Sequence, residues 1–171
     1  MSILIVYATK HGATGKCASI LKERLAGDVS LHDLKSASKP DLSKYDKVII
    51  GGSIYAGRIQ KAVSEFCNEN INFLKEKKLG LYICCMFMDS AEIQLKNAFP
   101  EELLNSAAVK ESFGGEMIFS DMNFFEKTLT KIVTKTIAKS NPKLAGIDPK
   151  KDVSMLVEEN INRFVQVMNG K

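Results

Sequence analysis

Short apolar, β-branched runs alternate with stretches of helical spacing along this chain, and that alternation constrains the fold more than any other feature. "SILIVYA" (2–8) is continuous and apolar, which suits a strand buried on both faces. "TGKCASILKERLAG" (14–27) places Cys17, Ala18, Leu21 and Leu25 at helical spacing and stops at Gly27. The pattern then repeats. "DVSLHDL" (28–34) is a weaker, alternating strand and "DKVIIGG" (46–52) a second buried one. "QKAVSEFCNENINFLKEK" (60–77) reads as a helix with Val63, Phe66, Cys67, Ile71 and Leu74 on one side. "LGLYICCMFM" (79–88) is a third strong strand, and "SAEIQLKNAF" (90–99) a short helix that Pro100 ends. "SFGGEMIFS" (112–120) is a fourth strong strand; "FFEKTLTKIVTKTIAK" (124–139) and "VSMLVEENINRFVQVM" (153–168) read as the last helices.

Such an order predicts an α/β protein, a parallel sheet with helices on both faces. Sheets of this kind bind ligands at the carboxyl ends of their strands, where the winding reverses. The loops that matter are therefore 9–14, 52–58, 86–90 and the region after 118. A length of 171 residues favours one domain, 1–171. The chain runs straight into "ILIVY" without a basic region or a small-residue cleavage site, and no apolar run reaches membrane-span length. A cytoplasmic protein is expected. Four cysteines (Cys17, Cys67, Cys84, Cys85) form no CxxC, and His11 and His32 fit no zinc pattern. Reduced, structural thiols are expected, with adjacent Cys84 and Cys85 on opposite faces of a strand.

The loop in "YATKHGATGK" (7–16) has the look of a phosphate cradle. It is not a Walker A loop: position 10 is Lys10, where a glycine is needed, and Cys17 follows Lys16 where Ser or Thr is needed. Nor is it GxGxxG, since its glycines are Gly12 and Gly15. Thr9 and Thr14 offer hydroxyls, and the first helical turn adds backbone N–H groups and the positive end of the dipole. That set suits one compact phosphate monoester. A plain helix cap by Thr14 is the alternative.

The run Ile5, Val6, Tyr7, Thr9, Gly12, Thr14, Ala18 and Leu21 resembles the flavodoxin signature at every defined position. The resemblance implies a three-layer fold on a five-stranded parallel sheet of order 2-1-3-4-5, and flavin mononucleotide (FMN) as cofactor. It implies that Thr9, Lys10, His11, Gly12, Ala13 and Thr14 enclose the FMN phosphate. Lys10 either assists the dianion or points to solvent. "GGSIYAGRI" (51–59) would then present Ser53, Ile54, Tyr55, Ala56 and Gly57 to the flavin, with Tyr55 able to stack on its ring. Met86, Phe87 and Met88 would suit the flavin edge, and would equally suit a core.

"SIYAG" and "FGGEMIFSDMNFFEKTLTKIVTKTIAK" also look like the flavodoxin-fold branch that contains the menaquinone-dependent protoporphyrinogen dehydrogenases. That likeness implies oxidation of protoporphyrinogen with a quinone acceptor. "SDMNFFEK" has no Arg and the chain has no Trp, whereas that branch is rich in both here. A flavodoxin-type carrier between protein partners and a flavin-free binding module are the competing readings. The net charge of +4 is uneven: residues 127–151 hold seven lysines and one acid, Asp148, so that segment carries +6 and the remainder −2. Lys127, Lys131, Lys135 and Lys139 recur every four residues, as one face of a helix. That stripe is either a solvated face or a docking surface for an anionic membrane, porphyrin propionates or an acidic redox partner. Without a nucleic-acid-binding module, nucleic acid is not an expected partner.

Overall fold

The computed structural model describes residues 1–36, 38–86, 88–117, 127–128 and 152–170. In chain order its elements are β1 (Ser2–Ala8), α1 (Ala13–Arg24), β2 (Asp28–Asp33), β3 (Lys47–Tyr55), β4 (Arg58–Ile59) and α2 (Lys61–Lys75). There follow β5 (Lys78–Cys84), α3 (Ala91–Ala98), α4 (Glu101–Ser106), β6 (Val109–Ser112), β7 (Gly114–Met117), β8 (Val153–Leu156) and α5 (Glu158–Asn169). The main sheet runs β2-β1-β3-β5-β6, all parallel, with β4 folded antiparallel onto the end of β3. With β4 set aside, this is the 2-1-3-4-5 order that the flavodoxin resemblance implies.

Side chains of period two divide between two cores. On one face Ile3, Ile5, Ile49, Tyr82 and Cys84 meet Cys17, Ala18 and Leu21 of α1 and Ile161, Phe164 and Met168 of α5. On the other, Leu4, Val6, Val48, Ile50, Leu81 and Ile83 meet Val63, Phe66, Cys67 and Leu74 of α2 and Leu103 of α4. Cys84 and Cys85 fall in different cores, as strand alternation requires, and all four cysteines are free and buried. Tyr82, Phe113 and Phe164 form an aromatic trio, with centroids 4.7, 5.2 and 6.2 Å apart. Each such pair adds about 0.5–1.5 kcal/mol beyond its area burial.

Helix α5 shows why its segment is helical. Glu158 and Glu159 open it, where acids favour the positive end of the dipole, and Gly170 closes it at φ 84°. Lys47 and Lys78, at the starts of β3 and β5, donate from Nζ to the carbonyls of Met168 and Val167. The last turn of α5 is thereby tied to the sheet by two cations.

Three stretches differ from the sequence reading. The fifth parallel strand is Val109–Ser112, not 112–120; the chain turns at Gly114 (φ 76°), and Gly114–Met117 pairs antiparallel with Val153–Leu156. Residues 153–156, expected to be helical, are that partner strand, because β7 offers them a ladder before the acidic helix start at Glu158. The third strong strand ends at Cys84, and Met88–Ser90 form a 3-10 turn. Pro100 ends the α3 segment as expected, and it also opens α4, which the sequence reading missed. Phe87, Lys131, Lys135, Lys139 and most of the helix expected over 124–139 lie outside the described residues. No helix among the described residues is long and apolar enough to cross a membrane.

Candidate functional site

Loops after β1, β3 and β5 emerge together at the carboxyl edge of the sheet. The first begins at Thr9, whose Oγ1 accepts the Gly12 N–H at 2.9 Å. Gly12 stands at φ 90°, a conformation that suits glycine, and its carbonyl accepts the N–H of Lys16 at 2.9 Å to start α1. No side chain caps this helix and no acid lies in its first turn. The N–H groups of Ala13, Thr14 and Gly15 belong to that first turn, which has no intrahelical acceptor to offer them.

Thr14 is fully buried, and its Oγ1 has no hydrogen-bond partner among the described residues. The hydroxyl is near enough to the Cys84 thiol to act on its ionisation, but the two do not meet in hydrogen-bond geometry. Contact with Cys17, 3.7 Å from Cys84 Sγ, is the first cause that holds the Cys84 thiol well above its ordinary pKa; burial is the second. Thr14 therefore does not cap α1. It holds a buried donor for which no described residue supplies an acceptor in hydrogen-bond geometry.

Beneath the loop, Tyr82 of β5 donates its hydroxyl to the Thr14 carbonyl at 3.1 Å. Its ring reaches that point by crossing β3 at Gly51, where a Cβ would stand 2.0 Å from Tyr82 Cζ. Lys16 turns away from the loop: its Nζ lies 2.6 Å from Glu116 Oε1 on β7, a contact that raises the Lys16 pKa. Ser154 of β8 donates to the same oxygen at 2.7 Å.

The second loop is a hairpin between β3 and β4. Ala56 and Gly57 form its turn with φ of 49° and 75°, the paired positive values of a type I′ turn. Ile54 stands opposite Ile59, and Tyr55, 38% exposed, opposite Arg58. Gln60 clamps the base: its Oε1 accepts the Ser53 N–H at 2.9 Å, and its Nε2 donates to Ser53 Oγ. The first two loops meet across Tyr55, with Lys10 Nζ 3.4 Å above the ring and the His11 ring 6.4 Å away.

In the third loop the Cys85 N–H donates to the Gly114 carbonyl at 2.8 Å. Met86 packs close to Gly115 of β7. Met88 accepts from Ser112 Oγ at 3.5 Å and joins the core beneath α2 and α4. The structure thus gathers Thr9, Lys10, His11 and Tyr55, while Met88 faces β6.

A family model described as flavodoxin domain matches residues 4–143. The chain belongs to the flavodoxin family. Solved structures agree on the fold: flavodoxin 1 from Bacillus cereus superposes with a TM-score of 0.50 at 15% identity, over 67% of this chain and 84% of that one. A flavodoxin from the domain Archaea gives 0.52 at 13% identity, over 82% and 98%. The Flv1 flavodiiron core from Synechocystis gives 0.50 at 12%, over 67% of this chain and 30% of that one. No curated protein sequence matches the chain.

The cofactor of the flavodoxin domain is FMN, and the first loop fits its phosphate. It offers an orphaned Thr14 hydroxyl, a helix N-terminus without a side-chain cap and a glycine turn with no Cβ to block approach.

Tyr82, Gln60 and Glu116 escaped the sequence reading. Tyr82 did leave a signal, being a polar-tipped aromatic inside an otherwise apolar strand that lies beside a strand with paired glycines. Gln60 and Glu116 left none, because their partners depend on tertiary approach.

Proposed function

We propose that this flavodoxin-family protein holds FMN through the loops after β1, β3 and β5 and serves as an electron-transfer protein. The buried, partnerless hydroxyl of Thr14 carries this reading, since a phosphate oxygen inside the loop supplies the acceptor it lacks. Bound FMN supplies a ring that takes up and releases electrons, and the protein positions and tunes it. Thr9 and Thr14 flank the phosphate, with the α1 N-terminus providing backbone donors. Tyr82 fixes the Thr14 carbonyl from below. Tyr55 covers the ring from the hairpin, and Gln60 keeps that hairpin in place. Met86, two residues past the end of β5, borders the flavin edge.

An absorption spectrum of the purified protein, repeated after FMN is added and excess removed, tests this. Retained flavin bands support the reading, and a protein that retains none overturns it. Thr14→Ala should weaken FMN binding and leave the fold intact.

A second reading is oxidation of a bound small molecule, protoporphyrinogen, with a quinone as acceptor. Its one support is the size of a cavity of about 750 Å³ beside Met88, lined by Leu95 and Leu104, by Lys96 and Lys110, and also by Glu92, Glu101 and Glu111. That volume falls in the ~300–1,000 Å³ range of small-molecule sites. Anaerobic incubation of the FMN-loaded protein with protoporphyrinogen and a menaquinone decides it: no flavin-dependent oxidation rules this reading out. Membrane contact through Lys127, Lys131, Lys135 and Lys139 belongs to the same reading, and loss of vesicle binding on their change to Glu would support it.

A further inference from the structure

Behind the Tyr55 hairpin, on the β2 side, lies a recess of about 280 Å³ lined by Thr9, Lys10, Lys35, Tyr55, Arg58, Ile59 and Gln60. Among the described residues its walls hold three cations and no carboxylate. Asp33 accepts the backbone N–H of Lys35 at 2.9 Å and does not line the recess. Elsewhere the described cations are commonly matched: Arg24 with Glu158, Lys39 with Glu69, Lys61 with Glu65, Lys96 with Glu92 and Arg163 with Glu111. Neither Lys35 nor Arg58 has an ion pair among the described residues. This concentration of charge is local. Outside residues 127–151 the chain carries a net −2.

We infer that this recess docks the carboxylates of an acidic redox partner protein, on the reading of the neighbouring loops as an FMN site. Position argues for it. The recess shares Thr9, Lys10 and Tyr55 with those loops, so a partner seated there stands beside the cofactor. Chemistry argues for it too. Two exposed cations converge with Lys10, whose ammonium sits over the Tyr55 ring, and the exposed edge of that ring supplies apolar contact at the centre. A cleft lined by one sign of charge concentrates and orients partners of the other sign, and raises association rates by roughly 10- to 1,000-fold.

The test compares Lys35→Gln/Arg58→Gln with Lys22→Gln/Lys75→Gln. The second pair removes the same charge from the last turns of α1 and α2, at the opposite end of the sheet. Binding of the redox-inert trianion hexacyanocobaltate(III), measured by calorimetry, needs no flavin; the neighbouring phosphate loop and the lysines of 127–151 can also take an anion, so only the binding lost in the Lys35/Arg58 variant and kept in the Lys22/Lys75 variant is assigned to the recess. The trianion should bind wild type and the Lys22/Lys75 variant alike, weaken with salt, and lose roughly tenfold in affinity in the Lys35/Arg58 variant. Equal binding by the two variants overturns the site.

Protein docking is read separately. Dithionite-reduced, FMN-loaded protein passes one electron to a ferric haem, which becomes ferrous, using acidic cytochrome b5 and basic cytochrome c as acceptors. The rate with cytochrome b5 should fall roughly tenfold in the Lys35/Arg58 variant alone, while cytochrome c is not slowed. Trianion binding with an unchanged cytochrome b5 rate would make this a small-anion site and contradict protein docking. Failure to retain FMN would sink the electron-transfer reading while the calorimetry still judges the recess.

Discussion

The hydroxyl of Tyr82 donates to the carbonyl oxygen of Thr14 at 3.1 Å, which joins the middle of the sheet to the loop proposed to hold a phosphate. Tyr82 is fully buried, and that burial is the first cause of a phenol pKa held well above its ordinary value, so the donor keeps its proton. Tyr82→Phe removes the bond and leaves the ring packed on Phe113. It should cost about 1 kcal/mol of stability in urea unfolding. It should also weaken FMN more than riboflavin, because the displaced loop is the one proposed to hold the phosphate. Equal losses for the two ligands would separate Tyr82 from the phosphate site.

Ala56 sits at φ 49° in the hairpin turn, where a side chain costs about 1–2 kcal/mol. Ala56→Gly relieves that cost and adds roughly 0.5–1 kcal/mol of lost chain freedom, so a net gain of up to about 1.5 kcal/mol is expected. Thermal unfolding should shift upward by a few degrees. A lower midpoint would mean that the Ala56 methyl makes a contact worth more than the strain.

Lys16 and Glu116 form a pair unlike those on the open surface, because the Glu116 side chain is 8% exposed and also accepts from Ser154. Lys16→Met leaves a nearly buried carboxylate without its cation, and should cost about 1.5–3 kcal/mol. Lys39→Met breaks the exposed pair with Glu69 and should cost under about 1 kcal/mol. Denaturant midpoints of the two variants, measured side by side, would contradict this if they coincide.

Most of the fold was legible because buried parallel strands and amphipathic helices write different periods into the chain. Ile3 to Val6 and Val48 to Ile50 are buried on both faces, so burial itself made them readable as strands. The turn of the first loop was legible for a related reason: Thr9 and Gly12 meet a constraint set within three residues. The β7–β8 ribbon was not. Val153–Leu156 is a strand because Gly114–Met117 comes to meet it from far away in sequence, and local spacing could not register that. Met88, which suits flavin edge and core equally in the sequence, lies against Ser112 of β6, a contact that local spacing does not show.

Burial pushes the Cys67 thiol up to about 12. The unfolded thiol loses its proton near pH 8.5–9 while the folded one keeps it, so stability is fully present below that pH and declines above it. Between about pH 9 and 12 this one group should steepen the loss by roughly 1.4 kcal/mol per pH unit. Cys67→Ala lowers stability at every pH through the cavity it leaves, but it should flatten that alkaline slope. Parallel slopes in wild type and variant would show that Cys67 does not titrate as its burial requires.

The claim that the loop over 9–14 holds a phosphate is tested most directly by titrating the flavin-free protein with FMN and with riboflavin, which share a ring and differ in that group. Fluorescence quenching should show FMN bound more tightly than riboflavin by roughly 100-fold, the equivalent of about 2.7 kcal/mol. In Thr14→Ala the difference should shrink through weaker FMN binding, with riboflavin little changed. Equal affinities for the two flavins in the wild-type protein would contradict the account at its centre.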